Sequence, residues 1–590
     1  MGILVRKPLT ALLAEASESE KGLKKTLSSR SLVALGIGAI VGAGLFSITG
    51  MAAANYAGPG IMISFIIAAI GCAFAGLCYA EFASMIPVAG SAYTYSYATM
   101  GEFIAWIIGW DLVLEYAVGA ATVASSWSGY FAELFKSFGV ALPPELMMTP
   151  FDTLKMADGS VVHGILNLPA IFIVVVMSLV LIRGMSESAW VNGIIVVLKI
   201  SIVIVFIVIG FQYIRPENLQ PLVPANTGTF GSFGWSGIIR AAAVVFFAYI
   251  GFDAVSTAAQ ETKDPKKSMP IGILGSLVIC TILYIFFAYV MTGVANYKMF
   301  NAGGGSDLAP VAIAIKQMGP MGANGLVSPA YPWLNTAIII AILLGYSSVI
   351  LVMLLGQSRV FYSMSNDGLL PRVFAQIHPK HRTPYKSNLL FMIFVAAFAA
   401  FIPGKIVGEM TSIGTLFAFI LVCIGVLVMR KHMKDAPRAF RVPLVPWIPV
   451  LGVATCLFMM VFLPFDTWIR LIAWMILGLD VYAAFGMRHS LLKEKGYDRK
   501  GHHTVNITVI IISVALIIMA LAHHYSPEIS VFFDNFKEAG LKEAFAASYD
   551  MAVVKDYVIF YFSLIFAAIH LIVYGLKEIS SKKQGGSQGV

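Results

Sequence analysis

Long apolar runs alternate with short polar segments along most of the 590-residue chain. A run of roughly 20 apolar residues is long enough to cross a bilayer as a helix. Such runs lie near 31–56, 61–86, 101–131, 164–182, 187–213, 238–258, 270–296, 335–357, 385–403, 408–429, 443–464, 467–487, 503–523 and 553–576. The pattern predicts an all-α polytopic membrane protein with about 14 transmembrane helices, called spans 1 to 14 below.

The charged residues give the expected orientation. Only 12% of residues are charged against 58% apolar, whereas soluble domains carry about a quarter charged residues. Lysines and arginines cluster in the segments that follow spans 6, 8, 10 and 12, which places those segments and both termini in the cytoplasm. The same asymmetry accounts for the net charge of +9, so nucleic acid is not an expected partner. We expect a multi-pass protein of the plasma (inner) membrane in contact with its lipids.

The spacing of the spans suggests four segments. These are a cytoplasmic N-terminal segment (1–30), a ten-helix core (31–429), spans 11 and 12 (430–487), and spans 13 and 14 with a cytoplasmic tail (488–590). Three longer outer loops are expected near 132–163, 297–334 and 524–552. The role of spans 11 to 14 stays open.

Two spans carry signs of an interrupted helix. Span 1 contains GIGAIVGAGLF at 36–46, with glycines at 36, 38, 42 and 44, which lowers helix propensity more than an anchoring helix requires. Span 6 contains FFAYIGFDAVSTAAQE at 246–261. The breaks are predicted at 40–46 and 247–252. Interrupted helices at matching places in two halves of a chain are typical of secondary transporters.

A free amino acid fits such a pair of breaks. Its carboxylate needs N–H donors, which the start of a second half-helix supplies, and its ammonium needs carbonyls, which the end of a first half-helix supplies. We therefore predict carboxylate binding by the amides of Ala43, Gly44 and Leu45. The predicted carbonyl acceptors for the ammonium are Ile40, Phe247, Ala248 and Ile250.

Other interpretations of these residues stay open. Gly38 and Gly42 are four residues apart and also fit a helix-packing contact between small residues. Phe247 could cover the ligand as a gate, or could be a lipid-facing or core aromatic.

Lys199 is the sharpest ionisable candidate because it lies deep within the apolar run of span 5. An ammonium there could take the place of a bound cation and donate to carbonyls that the break in span 1 frees. Loss of its proton would remove that support and link proton binding to conformation. The alternative is a static structural ammonium.

Acidic residues in the spans are weighed in the same way. Glu115 in span 3 could neutralise a cationic substrate or carry the coupled proton, or it could join helices by an ion pair. Asp253 in span 6 fits a proton relay and equally an N-cap of the helix that follows it. Asp111 is a more structural candidate, and Glu81 is expected at the inner interface or in packing.

No catalytic, metal or cofactor site is expected. The five cysteines all lie in apolar runs without metal-ligand spacing. The chain has no H-E-x-x-H, G-x-S-x-G or Walker A sequence, which argues against an enzyme and against an ATP-driven pump.

Four segments taken together identify a resemblance. They are Cys78–Tyr97 (CYAEFASMIPVAGSAYTYSY), the GIGAIVGAGLF break, Phe246–Ile273 and Gly356–Pro371 (GQSRVFYSMSNDGLLP). In this order they resemble the cationic amino acid transporter family of the amino acid–polyamine–organocation (APC) superfamily. The resemblance covers roughly residues 25–485.

The resemblance implies a LeuT/APC-type fold of two inverted five-helix repeats, spans 1–5 and 6–10, with spans 1 and 6 unwound. It also implies that Lys199 stands where sodium-coupled relatives hold their ion, and that Glu115 and Asp253 match acidic positions of relatives. Family substrates are cationic or small neutral amino acids. In span 8, Ser347, Ser348 and Met353 are candidates for the side-chain pocket; Met353 would favour small ligands, and a path to Glu115 would favour arginine.

The expected function is proton-coupled symport of L-amino acids by alternating access, with the amino acid and protons as partners. An obligate exchanger of cationic amino acids is the alternative within transport. An amino acid-sensing transceptor, which binds without flux, is the alternative outside it. A small membrane subunit and sterol contacts are further possible partners that the sequence leaves open.

Overall fold

The computed structural model describes most of the chain. The described residues are 5–10, 12, 27–86, 91–155, 160–183, 189–228, 230–257, 262–301, 309–321, 327–381, 383–434, 436, 438–491, 499–524 and 551–586. Outside the described residues lie most of the predicted N-terminal segment 1–30 and nearly all of the loop near 524–552. Parts of two segments that carry the family resemblance, 87–90 and 258–261, also lie outside them.

The chain is predominantly helical. Its α-helices up to the break in span 6 are Ser29–Ile40, Thr49–Ala52, Ile61–Met85, Ser91–Thr99, Glu102–Val113, Gly119–Ser137, Leu168–Ile182, Ala189–Phe211, Gly234–Val245 and Ala254–Thr257. Those that follow are Pro265–Val294, Pro310–Lys316, Pro332–Asn366, Tyr385–Phe401, Gly404–His432, Trp447–Val461, Phe465–Val481, Met487–His489, Arg499–His524 and Met551–Gly586.

Other helical turns interrupt or extend these helices. The π-helical segments are Gly44–Ile48, Ala53–Ala57, Leu114–Val118 and Tyr482–Gly486. The 3₁₀ turns are Gly58–Gly60, Pro144–Leu146, Pro216–Leu219, Phe246–Tyr249, Tyr297–Asn301 and Arg372–Ala375.

Nine helices in the described part of the chain are long and apolar enough to cross a membrane. Five shorter apolar helices coincide with predicted spans 1, 4, 6, 9 and 11. An all-α polytopic membrane protein is therefore what the structure supports. The total of fourteen spans and the inverted repeat remain predictions.

Two loops contain structure that the hydropathy pattern does not predict. The loop near 132–163 carries an antiparallel hairpin of Thr153–Lys155 and Val161–His163, with Thr153 paired to His163. The loop near 297–334 carries the two-turn helix Pro310–Lys316. Both elements are too short to produce a periodic signal of their own.

Contacts divide the described residues into two compact units. The larger unit spans Arg6–Asn366 and Pro371–Leu463, and the smaller one spans Met1–Val5, Asp367–Leu370 and Pro464–Val590. In the larger unit, span 7 packs on spans 1 and 2, and span 8 packs on span 3. Small residues bring helices together: a Cβ on Gly36 would lie only 2.5 Å from the Ser276 hydroxyl oxygen in span 7.

Polar side chains join the helices of the smaller unit. Asp480 of span 12 accepts hydrogen bonds from His570 Nε2 at 2.8 Å and from the Tyr574 hydroxyl at 2.6 Å, both in span 14. Glu578 of span 14 lies 2.6 Å from His503 Nδ1 of span 13. Polar pairs of this kind hold helices together in an apolar environment, where burial of hydrocarbon adds little.

Candidate substrate site

Span 1 breaks directly after Ile40. The first half, capped by the Ser28 hydroxyl, ends at Ile40, and Val41 is extended with a ψ of 105°. The chain becomes helical again at Gly44, in a π-helical turn. The amides of Leu45 and Phe46 both donate to the Gly42 carbonyl, at 3.1 and 3.2 Å. Because the Leu45 amide already has this acceptor, Ala43 and Gly44 are the stronger candidates among the three predicted carboxylate donors.

Span 6 breaks after a 3₁₀ turn. Phe247 and Ala248 lie within the turn Phe246–Tyr249, and Ile250 is extended with a ψ of 139°. Gly251 has a φ of +111°, a conformation that side-chain-bearing residues rarely adopt. The chain resumes helical geometry at Ala254. The break therefore leaves the predicted acceptors at the C-terminal end of a half-helix. The Phe247 carbonyl already accepts from the Ile250 amide at 3.2 Å, so Ala248 and Ile250 are the stronger candidates among the three.

The two breaks lie against each other without a side chain between them. A Cβ on Gly44 would come within 2.2 Å of the Ala248 Cα, and one on Gly251 would come within 2.9 Å of the Ala39 carbonyl. The structure gives a more specific reason for Gly44 than the sequence does: glycine there lets span 1 approach the backbone of span 6. Gly42 lies against span 8 instead, where its Cβ would meet Val349 at 3.1 Å.

Tyr284 in span 7 connects the breaks and was missed in the sequence analysis. Its buried hydroxyl lies 3.0 Å from the Ile40 carbonyl oxygen and 2.9 Å from that of Ala248. Both carbonyls belong to the predicted ammonium acceptors. The available signal was a tyrosine inside an apolar run, because a buried phenol needs a hydrogen-bond partner.

Lys199 reaches span 1 from span 5. Its side chain is 1% exposed, and Nζ donates to the Gly38 carbonyl at 2.7 Å. In a continuous helix this carbonyl would accept from the amide of residue 42, which lies past the end of the first half-helix. The aliphatic part of the lysine runs beside Gly345 of span 8, whose Cβ would lie 3.0 Å from the lysine Cε.

Glu115 lies in the π-helical segment Leu114–Val118 of span 3. It is fully buried, and neither carboxylate oxygen has a hydrogen-bond partner among the described residues. Asp111 is buried in the same way, and both it and Asp253 lie within electrostatic range of Glu115. An isolated ionised carboxylate is costly to bury, so this arrangement suits a carboxyl that gains and loses a proton. Single-turn π segments in α-helices are frequent at functional sites.

Asp253 is also fully buried, at the start of the second half of span 6. Its carboxylate accepts hydrogen bonds from the Tyr116 hydroxyl and, at 3.4 Å, from the Ser91 hydroxyl. Tyr116 follows Glu115 in the same π-helical segment, so this bond connects span 3 to the break in span 6.

Met353 of span 8 packs against Gly119 of span 3, which lies one helical turn after Glu115. Its sulfur would lie 3.4 Å from a Cβ on Gly119 of span 3, and a methyl of Thr411 in span 10 would lie 3.3 Å from the same position. Met353 is 6% exposed and Ser348 is 4% exposed, while the Ser347 hydroxyl donates to the Leu343 carbonyl within its own helix. Met353 therefore lies on the face of span 8 that meets Gly119 of span 3.

The predicted outer side of span 1 is held by aromatic residues. The Tyr130 hydroxyl donates to the Phe46 carbonyl at 2.6 Å and accepts from the Val311 amide at 3.3 Å. Val311 belongs to the loop helix Pro310–Lys316, which Lys316 ties to span 3 through an ion pair with Glu133. The loop helix and span 3 thus share contacts with the second half of span 1.

Glu81, expected at the inner interface or in packing, has a definite ionic role. Its buried carboxylate lies 2.8 Å from Arg430 and 3.3 Å from Arg438, and accepts from the Val442 amide at 2.7 Å. The two arginines and the amide anchor the segment after span 10 to span 2.

Comparison with known proteins identifies the family. A family model described as amino acid permease matches residues 27–481. In Bacillus subtilis (strain 168), a methylthioribose transporter is 40% identical over 489 residues (83% of this chain, 99% of the relative), and the branched-chain amino acid permease BcaP is 42% identical over 493 residues (84% and 100%). The vacuolar cationic amino acid transporter 4 of Arabidopsis thaliana is 35% identical over 431 residues (73% and 67%). The chain therefore belongs to the amino acid permease family of the APC superfamily.

Proposed function

We propose that the chain is a proton-coupled L-amino acid symporter that works by alternating access between two inverted five-helix repeats. The observation that carries the proposal is the pair of breaks that lie backbone to backbone, with Gly44 against Ala248. Peptide amides and carbonyls at such breaks match the two charged groups that every free amino acid carries. The proposed location is the plasma membrane, and the proposed orientation places both termini in the cytoplasm.

Coupling to protons is proposed through Lys199, Glu115 and Asp253. Lys199 stabilises the first half of span 1 by its bond to Gly38, and loss of its proton would remove that charge-assisted bond. Glu115 is the proposed proton carrier because it is buried without a hydrogen-bond partner among the described residues. The bond from Tyr116 to Asp253 offers a physical link between that carboxyl and span 6.

The substrate proposal covers cationic and small neutral amino acids, and the relatives widen it. Relatives named for branched-chain and for cationic amino acids are both similar to this chain over most of its length, so leucine is tested beside alanine and arginine. The relative named for methylthioribose makes that sugar a necessary fourth compound.

The test is uptake of these four radiolabelled compounds into substrate-free proteoliposomes, with and without an inward proton gradient. Gradient-driven accumulation of an amino acid supports symport and names its class. If uptake requires internal amino acid, the protein is an exchanger, and accumulation of methylthioribose alone would contradict an amino acid substrate. Binding without flux in vesicles shown to be competent would favour a transceptor.

A further inference from the structure

The hydroxyl of Tyr284 lies between the breaks in spans 1 and 6. Its hydroxyl oxygen lies at nearly equal distances, 3.0 and 2.9 Å, from the carbonyl oxygens of Ile40 and Ala248. The three groups come from spans 7, 1 and 6, and all are buried. A phenol carries one proton and a carbonyl oxygen has two lone pairs, so each carbonyl retains the capacity to accept from a second donor.

The ring of Tyr284 is fixed by its neighbours. The rings of Phe65 in span 2 and Tyr249 in span 6 both lie 5.4 Å from it, centroid to centroid. Tyr249 has a buried hydroxyl of its own, which donates to the Phe65 carbonyl at 3.0 Å. The two tyrosines thus share one aromatic cluster. Within the described part of the chain, the Tyr284 hydroxyl contacts carbonyls of both breaks, whereas the Tyr249 hydroxyl bonds to span 2.

Two carbonyl oxygens that converge on one point repel each other unless a donor lies between them. We propose that Tyr284 is a positioning residue whose shared proton keeps the Ile40 and Ala248 carbonyls aimed at one point before substrate arrives. A primary ammonium, with three donors, then meets an acceptor pair that is already assembled, which reduces the ordering cost of binding. The inference rests on the proposed function, because it assigns this carbonyl pair to the amino group of the ligand.

The test compares Tyr284→Phe with Tyr249→Phe in the purified full-length chain. Each variant removes one buried hydroxyl from the same aromatic cluster. Affinities are measured for alanine, leucine and arginine, and for their analogues without the amino group (propionate, 4-methylpentanoate and 5-guanidinopentanoate) by competition. We expect Tyr284→Phe to weaken the preferred amino acid by roughly 5- to 30-fold, the effect of losing one hydrogen bond that organises a charged ligand's site. Tyr249→Phe should change that affinity by less than about threefold, and Tyr284→Phe should leave the analogue largely unaffected.

Three results would overturn the inference: unchanged affinity in Tyr284→Phe, equal weakening in both variants, or equal weakening of the amino acid and its analogue. If the analogue does not compete in the wild-type protein, the two phenylalanine variants decide alone. If Tyr284→Phe does not give folded protein, Tyr284→Met removes the donor with an adaptable side chain and is measured instead. A wild-type protein that binds and transports none of the amino acids would instead contradict the proposed function.

Discussion

The Nζ atom of Lys199 lies 2.7 Å from the carbonyl oxygen of Gly38. In a continuous helix that carbonyl would accept from the amide of Gly42, but the first half of span 1 ends at Ile40. Span 5 therefore supplies a charged donor at the place where span 1 stops supplying its own. The aliphatic stem of the lysine runs beside Gly345 of span 8, where a side chain would crowd it.

Replacing Lys199 by alanine is expected to abolish proton-driven uptake or its pH dependence. The change leaves the buried Gly38 carbonyl without this donor, at a cost of about 1–3 kcal/mol, and removes the proposed titrating group. Uptake measured across external pH in proteoliposomes is the readout. The matched control is Lys298→Ala, which removes an exposed lysine. Wild-type uptake at every pH in Lys199→Ala would remove Lys199 from the coupling mechanism.

Replacing Gly44 by alanine or leucine is expected to abolish substrate binding and lower thermal stability. Even one Cβ there would lie 2.2 Å from the Ala248 Cα, which is backbone and cannot rotate away. Overpacking of this kind costs about 1–3 kcal/mol or more. Gly76→Ala is the control, because its Cβ would meet ordinary contacts at 3.5 Å and beyond. Normal affinity in the Gly44 variants would show that the site is misplaced.

Glu115→Gln is expected to reduce gradient-driven accumulation at least about tenfold while exchange of bound substrate persists. The amide keeps the shape of the side chain but cannot take up and release the coupled proton, and a buried polar group is tolerated better than a buried charge. Asp111→Asn, one turn away and equally buried, should have a smaller effect. If only arginine uptake falls, Glu115 binds the substrate cation and does not carry the proton.

The ion pair between Lys316 and Glu133 gives a prediction about the loop helix. Lys316→Met should lower the stability of the folded protein by about 1–3 kcal/mol, because Glu133, 8% exposed, would lose its cation. Glu133→Gln should cost less, since Lys316 is 42% exposed and its charge can be solvated. A double-mutant cycle on thermal unfolding measures the coupling. Strict additivity would show that the pair contributes nothing.

Features that depend on neighbours along the chain could be predicted from the sequence. Four glycines within nine residues marked the break in span 1, and an ammonium in the apolar run of span 5 drew attention to Lys199. Partners that only tertiary packing brings together could not be predicted in this way. Tyr284 resembles any aromatic residue of an apolar span until its hydroxyl is seen between Ile40 and Ala248. The ion pairs of Glu81 with Arg430 and Arg438 could not be predicted, because the segment that carries the two arginines meets span 2 only in the folded protein.

The short elements in the outer loops could not be predicted for a different reason. The helix Pro310–Lys316 has too few residues to show a period, and its position depends on Tyr130 and on contact with span 1. A Cβ on Gly50 would lie 2.2 Å from the Pro310 Cβ, so the loop helix fits against a bare stretch of span 1. Such a fit involves residues far apart in sequence, and no local pattern encodes it.

The backbone contact between Gly44 and Ala248 has a consequence for how specificity can evolve. Under the proposed function, a ligand between these breaks would meet peptide groups, which ordinary point substitutions leave chemically the same. Candidates for the side-chain pocket, such as Met353, can change without altering those peptide groups. Under the proposed function, single substitutions can therefore exchange one amino acid substrate for another, whereas the peptide groups at the two breaks stay the same.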